Sequence, residues 1–209
     1  MTVKEKALQI NKELEKIYPD PVCALGFNNG IELLVAVRLS AQCTDKRVNE
    51  VTPALFAKYK TAEDFANADI EELEGMIKSC GFYHDKAKSI KEFCRMIIDV
   101  YGGVIPDSID ELVKLPGVGR KTANLVMGEL YGKESYVCDT HCIRLSNRFG
   151  LTKSKDPAVV EKDLRAAVPP EISGDFCHRF VWYGRDVCTA RNPKCDKCSL
   201  KYLCAEKAK

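Results

Sequence analysis

The chain has 209 residues, 45% of them hydrophobic and 30% charged, enough apolar matter for a buried core, which excludes the disordered and fibrous classes. A formal net charge of +2 neither demands nor forbids a nucleic-acid partner. No apolar run approaches the roughly 20 residues of a membrane span; the longest, Ile31 to Leu39, is broken by Glu32 and Arg38.

Helical periodicity dominates from the start. Val3, Ala7, Leu8, Ile10, Leu14 and Ile17 recur at three- and four-residue steps and predict an amphipathic helix. Ile31 to Leu39 is apolar on nearly all sides and reads as a central, buried helix. Val48, Val51, Leu55, Phe56 and Tyr59 form a third stripe. Asp69 with Glu72 marks a helix start, with Leu73, Met76 and Ile77 behind it. Ala87, Ile90, Phe93, Cys94, Ile97 and Ile98 form a longer helix. Ser108 and Glu111 have capping-box spacing, and Asp156–Pro157 is an N-cap followed by proline at the first helical position. Phe176, Phe180 and Val181 mark a late helix. No strict alternation and no hairpin signal occurs, so the sheet classes lose. The expected body is all-α, with about nine or ten helices and short loops.

Charge is uneven. Residues 61–75 carry six acids and no base, whereas 114–153 and 185–209 each carry seven bases and three acids. That pattern implies a polarised surface or, more plainly, ordinary solvated helix faces.

Leu115-Pro116-Gly117-Val118-Gly119 separates two helical patterns. Pro116 stops the first, and the two glycines permit backbone angles that a Cβ resists. The helix that follows, to Tyr131, begins with unpaired N–H groups beside a positive dipole end, which is a seat for a phosphate. Such a seat positions without reading a base. Arg120 and Lys121 come next, where cations oppose the dipole at a cost of a few tenths of a kcal/mol. A locally unfavourable placement is expected where function requires it. The same positive potential favours a neutral Lys121 amine, a nucleophile that forms Schiff bases with carbonyl-like carbons. Downstream, the apolar Tyr136-Val137-Cys138 ends in Asp139, ahead of a further helical pattern. Asp139 reads as an N-cap, and a capped carboxylate is also one held ionised in fixed geometry.

Eleven cysteines are present. Seven are scattered through apolar stretches as small buried hydrophobes. Cys188, Cys195, Cys198 and Cys204 cluster with C-x6-C-x2-C-x5-C spacing. An odd count argues against a disulfide framework, so metal binding is the better reading. Zinc prefers ligand pairs two to four residues apart, and iron–sulfur clusters also take four thiolates; spacing alone leaves both open.

Leu115 to Asn124 (LPGVGRKTAN), then Cys138-Asp139-Thr140-His141, then the four spaced cysteines resemble the endonuclease III family of bifunctional DNA glycosylases. The order and separations match from Ile31 to Cys204. The resemblance implies a two-lobed, all-α helix-hairpin-helix architecture with a C-terminal iron–sulfur cluster loop. Residues 23–134 would form a six-helix bundle carrying the hairpin. Residues 1–22 and 135–209 would form a discontinuous lobe holding a 4Fe-4S cluster on Cys188, Cys195, Cys198 and Cys204. The implied activity is removal of oxidised pyrimidines from double-stranded DNA, followed by β-elimination at the abasic site. Lys121 aligns with the lysine that attacks C1′, and Asp139 with the catalytic aspartate. Gln42, in Leu39-Ser40-Ala41-Gln42, resembles the residue that fills the space of the flipped nucleotide. Phe82, in Cys80-Gly81-Phe82-Tyr83 with Lys86-Ala87, a segment that resembles the second wedge loop, stands where a leucine wedge is usual. Gly117, Gly119 and Arg120 of the hairpin, and Arg191 of the cluster loop, are the further DNA contacts. Cys138 replaces a small aliphatic residue and reads as a buried filler. His141 would orient local hydrogen bonds, and His84 could reach a phosphate.

Two rivals stand beside this reading. The related adenine-mismatch glycosylases lack the lysine and use a glutamate near the glutamine loop, where this chain has Ala36 or a neighbour. A silent DNA-binding module with a structural metal would need neither Lys121 nor Asp139. A monomer without membrane association is expected. The N-terminus does not resemble a signal peptide, so the expected location is the cytoplasm, at the nucleoid, of a prokaryote.

Overall fold

The computed structural model describes residues 1–206. Among them every regular element is helical: α1 (Val3–Ile17), α2 (Gly30–Ser40), α3 (Asp45–Lys58), α4 (Ala62–Asn67), α5 (Ile70–Ile77), α6 (Tyr83–Tyr101), α7 (Ile109–Leu112), α8 (Arg120–Tyr131), α9 (Thr140–Arg148), α10 (Pro157–Ala167) and α11 (Ser173–Asp186). Short 3-10 turns cover Lys78–Cys80, Pro170–Ile172, Cys195–Lys197 and Lys201–Leu203. The all-α class holds. The sequence reading lacks α4, whose six residues are too few to show a stripe. Its signal lies in the cap: Thr61 Oγ1 accepts from the Asp64 N–H, and the Asp64 carboxylate accepts from the Thr61 N–H. Aspartate does here what Glu or Gln does in the usual capping box.

The chain divides into two compact units. One is continuous, Cys23–Tyr131. Its axis is α2, whose Leu33, Leu34, Val35, Ala36 and Leu39 are fully buried. Helices α3, α6 and α8 pack around it, so α2 is apolar on nearly every side for a physical reason. Helix α4 lies along α6. Glu32, buried within α2, has its carboxylate satisfied by the Asn28 N–H at 2.7 Å and Asn28 Nδ2 at 2.9 Å.

The other unit comprises Met1–Val22 with the chain from Gly132 on. Helix α1 packs on α10 and α11. Only Ala7, Ile10, Asn11 and Leu14 of α1 are buried, while Val3, Leu8 and Ile17 remain 41–47% exposed. The apolar stripe is thus narrower than the periodicity suggests, because a helix seated on two neighbours covers one face only. Polar ties complete the seating. Arg179, itself buried, donates to Asn11 Oδ1 at 3.0 Å and to the carbonyls of Tyr18 and Pro19 at 3.0 and 3.1 Å. Lys6 Nζ donates to the Phe149 carbonyl at 3.0 Å. No helix among the described residues is long and apolar enough to cross a membrane.

Candidate active site and iron–sulfur segment

In the continuous unit, the hairpin between α7 and α8 is a four-residue turn. The Val118 N–H donates to the Leu115 carbonyl at 3.0 Å, with Pro116 and Gly117 at its centre. Gly117 has φ +74°, the left-handed value that a type II turn requires at its third position. The turn is backed by side chains from α2 and α6: a Cβ at Gly117 would stand 2.8 Å from Arg38 Nε and 3.0 Å from Ser89 Cβ. Leu115 and Val118 point into the core. Gly119 differs. Its φ is not positive, and a Cβ there would meet nothing within 4 Å. The protein's own packing gives no reason for glycine at 119, which leaves open backbone at the start of α8. Arg120 and Lys121 follow, both exposed, on its first turn.

Asp139 belongs to the discontinuous unit and caps α9. Its Oδ1 accepts from the Cys142 N–H at 2.7 Å. The preceding Tyr136, Val137 and Cys138 are buried, so the carboxylate is carried on a fixed, apolar stem. The Cys138 thiol is pushed far up in pKa by hydrogen bonding with Cys142 and then by burial; it stays protonated and is no nucleophile. His141 lies beside Arg144, with Nδ1 3.1 Å from Nη2, and burial lowers its pKa below the usual histidine range. Gly184 on α11 admits this pair: a Cβ there would stand 2.8 Å from His141 Nδ1 and 2.9 Å from Arg144 Nη2.

Gln42 and Phe82 sit on separate turns of the continuous unit, both exposed and both left-handed, with φ 54° and 48°. Non-glycine residues take that conformation at a cost of about 1–2 kcal/mol. Phe82 is 64% exposed at the N-terminus of α6. His84, beside it, is paired through Nδ1 with Glu74 Oε2 at 2.7 Å.

The four clustered cysteines lie between α11 and Glu206, each half-buried. Around them are donors suited to thiolate sulfur. Arg148 Nη1 is 3.2 Å from Cys188 Sγ, and the Tyr183 hydroxyl is 3.0 Å from Cys198 Sγ. Arg144 donates to the Cys188 carbonyl through Nε and Nη2 at 3.1 and 3.0 Å. Leu200 and Leu203 close the segment's inner side. Among the described residues no three His, Cys, Asp or Glu side chains converge on one point. Four thiolates flanked by an arginine and a tyrosine hydroxyl are the donor chemistry that an iron–sulfur cluster held by four cysteines takes. The donor set fits the cluster. Arg144 and Arg148, which tie α9 to this segment, were not among the sequence candidates; their i, i+4 spacing just after Asp139 was the available sign. Arg191 lies in the same segment, exposed, with its carbonyl accepting from Thr189 Oγ1 at 2.7 Å.

Comparisons with known proteins agree on the family. The model of the HhH-GPD superfamily of base excision DNA repair proteins matches residues 35–170. The iron–sulfur binding domain of endonuclease III matches residues 188–204, which identifies the cofactor as a 4Fe-4S cluster. Endonuclease III of Bacillus subtilis is 48% identical over 202 residues, covering 95% of this chain and 92% of the relative. The structure of a non-covalent endonuclease III–DNA complex superposes with a TM-score of 0.93 at 44% identity, covering 99% of this chain and 97% of that one. A trapped endonuclease III–DNA covalent intermediate matches with the same score and identity, covering 99% and 98%. The chain therefore belongs to the endonuclease III family of base excision DNA repair proteins.

Proposed function

We propose that this protein excises oxidised pyrimidines from duplex DNA and then cleaves the abasic strand, with Lys121 as nucleophile and Asp139 as its carboxylate partner in the chemistry. As a member of its family it is a bifunctional DNA glycosylase and abasic-site lyase; the lesion class and the residue roles are what is proposed. One observation carries the reading. Lys121 follows an open-backbone hairpin, in a chain 44% identical to a protein trapped covalently on DNA.

The chemistry runs in two stages. The target nucleotide leaves the stack, with Gln42 and Phe82 entering the space that it vacates. The Lys121 amine bonds to C1′ through its lone pair as the glycosidic bond breaks, and the electron pair leaves with the base. Asp139 stabilises the positive charge that builds on the sugar, because a fixed anion needs no reorganisation as that charge develops. The sugar ring then opens: the C1′–O4′ bond breaks, O4′ takes a proton and becomes a hydroxyl, and the nitrogen lone pair forms an iminium between Lys121 and C1′. The iminium acidifies the C2′ proton; removing it expels the 3′ phosphate by β-elimination, and water then hydrolyses the imine. The open backbone at Gly119, with Arg120, holds a phosphate by position, and Arg191 adds a second contact. Within the C-terminal segment, Cys188, Cys195, Cys198 and Cys204 would hold the cluster, which fixes the loop's shape.

Ala36 speaks against adenine-mismatch chemistry, since it stands where that chemistry would need a glutamate, and Glu32 is a full turn of α2 away. Duplexes carrying thymine glycol, 8-oxoguanine opposite cytosine, or adenine opposite 8-oxoguanine test the proposal. Release of base and strand cleavage are expected on thymine glycol. Preference for either purine substrate would overturn the lesion class.

A further inference from the structure

Lys86 is almost fully buried, at 1% exposure, on the first turn of α6. Its Nζ donates to the Leu39 carbonyl at 2.8 Å and to the Cys80 carbonyl at 3.0 Å. These acceptors lie on two different turns. Leu39 is three residues before Gln42, and Cys80 is two residues before Phe82. Both turns end in a left-handed, non-glycine residue, a conformation that persists only where the surroundings over-determine it. Local bonds on each side are modest: the Cys43 N–H reaches the Ser40 carbonyl at 3.1 Å, and the Gly81 N–H reaches the Lys78 carbonyl at 3.2 Å. The ammonium is the group common to both.

Among the described residues, the groups around Lys86 offer no carboxylate. The thiols of Cys43 and Cys80 and the guanidinium of Arg38 are the ionisable neighbours, and burial lowers the lysine's pKa. A buried cation held by two carbonyls is an expensive way to fill a core position. A methionine would fill the volume without that penalty, so the charge has a role that volume does not explain.

We propose that Lys86 is the positioning residue of the wedge: one buried ammonium, bonded to the Leu39 and Cys80 carbonyls, fixes the turns presenting Gln42 and Phe82 as a single device. The inference rests on the wedge roles given above to Gln42 and Phe82. Lys86 does not touch the reacting atoms. It sets the spacing of two side chains that must enter the duplex together.

The test uses the purified, iron-loaded protein and a duplex with 2-aminopurine beside a stable abasic-site analogue, whose fluorescence rises on unstacking. Wild type should raise the signal; if it neither unstacks this probe nor cleaves thymine glycol DNA, the functional reading itself fails. Lys86→Met should retain the cluster's visible absorbance and helical dichroism, lose the fluorescence rise, and slow single-turnover base release at least about tenfold. Lys86→Gln, which keeps N–H donors on a shorter, uncharged side chain, should fall between. Adding Phe82→Ala to Lys86→Met should cost little more than either change alone, because both remove the same wedge. Full unstacking by a folded Lys86→Met protein, or additive losses in the double variant, would overturn the proposal. If neither variant folds, hydrogen exchange of the wild type decides. Amides of residues 40–44 and 80–83 should then open in one cooperative step, and independent opening of the two turns would contradict the assignment.

Discussion

The guanidinium of Arg38 lies against the bare Cα of Gly117, with Nε 2.8 Å from where a Cβ would stand. Arg38 is held there by Ser89, whose Oγ accepts from Nε at 2.6 Å. Helices α2 and α6 thus support the hairpin from behind, and the glycine is required both by its φ and by what presses on it. Gly119, two residues on, meets neither demand.

The two glycines should therefore respond differently to alanine. Gly117→Ala combines a left-handed backbone with a collision and should cost about 1–3 kcal/mol of stability. Gly119→Ala should leave thermal stability within about 0.5 kcal/mol. It should nevertheless weaken binding to an abasic-site analogue duplex, because a methyl group stands where a phosphate approaches. Thermal unfolding with a titration of labelled duplex separates the two outcomes. Unchanged DNA affinity in Gly119→Ala would remove the phosphate seat.

Asp139 has two roles that substitution can part. Asparagine caps helices about as well as aspartate, so Asp139→Asn should unfold within about 0.5 kcal/mol of wild type. Turnover should fall steeply while DNA affinity is retained. Asp139→Ala removes the cap as well and should lose about 1 kcal/mol of stability besides. Equal stability losses in both variants, with turnover in Asp139→Asn intact, would make the residue structural only.

The helix pattern was open to sequence reasoning wherever a stripe exceeded two turns. Capping pairs such as Asp69 with Glu72 and Asp156 with Pro157 were equally legible. Helix α4 was hidden because a six-residue element carries no periodicity. The width of the apolar face of α1 was hidden because it depends on how its neighbours seat it. At the candidate site, Gly117 and the cysteine spacing were visible because unusual backbone and metal ligation demand particular residue types. Arg38, Arg144, Arg148 and Gly184 were not. They act through contacts with residues far along the chain, and only the i, i+4 spacing of Arg144 and Arg148 gave a local sign. Lys86 belongs to the segment that resembles the second wedge loop, but its burial and its two carbonyl partners become visible only in the fold.

The cysteine segment should yield a brown protein with about four irons per chain. Arg148→Met removes the donor beside Cys188 Sγ and should speed loss of visible absorbance under air oxidation, with little change in freshly loaded protein. Stoichiometric zinc in a colourless preparation would contradict the cluster.

Stability in acid should carry the mark of Asp64. Hydrogen bonds from the backbone N–H groups of Lys60 and Thr61 hold its carboxyl below the usual aspartate range. The folded form thus binds its proton less readily than the unfolded chain. The contribution is fully present above the unfolded pKa of about 3.9 and is lost as pH falls through the depressed folded value. Asp64→Asn should flatten the acid limb of a stability–pH curve while leaving the slope above pH 6 unchanged. An identical acid limb in the variant would show that other carboxylates govern it.

Borohydride reduction during reaction with abasic-site DNA tests the central claim, that the Lys121 amine bonds to a deoxyribose carbon. The account predicts a stable protein–DNA adduct in the wild type and none in Lys121→Gln, whose cluster absorbance and DNA affinity should persist. Strand cleavage by the wild type without any trapped adduct, or equal trapping by Lys121→Gln, would contradict it.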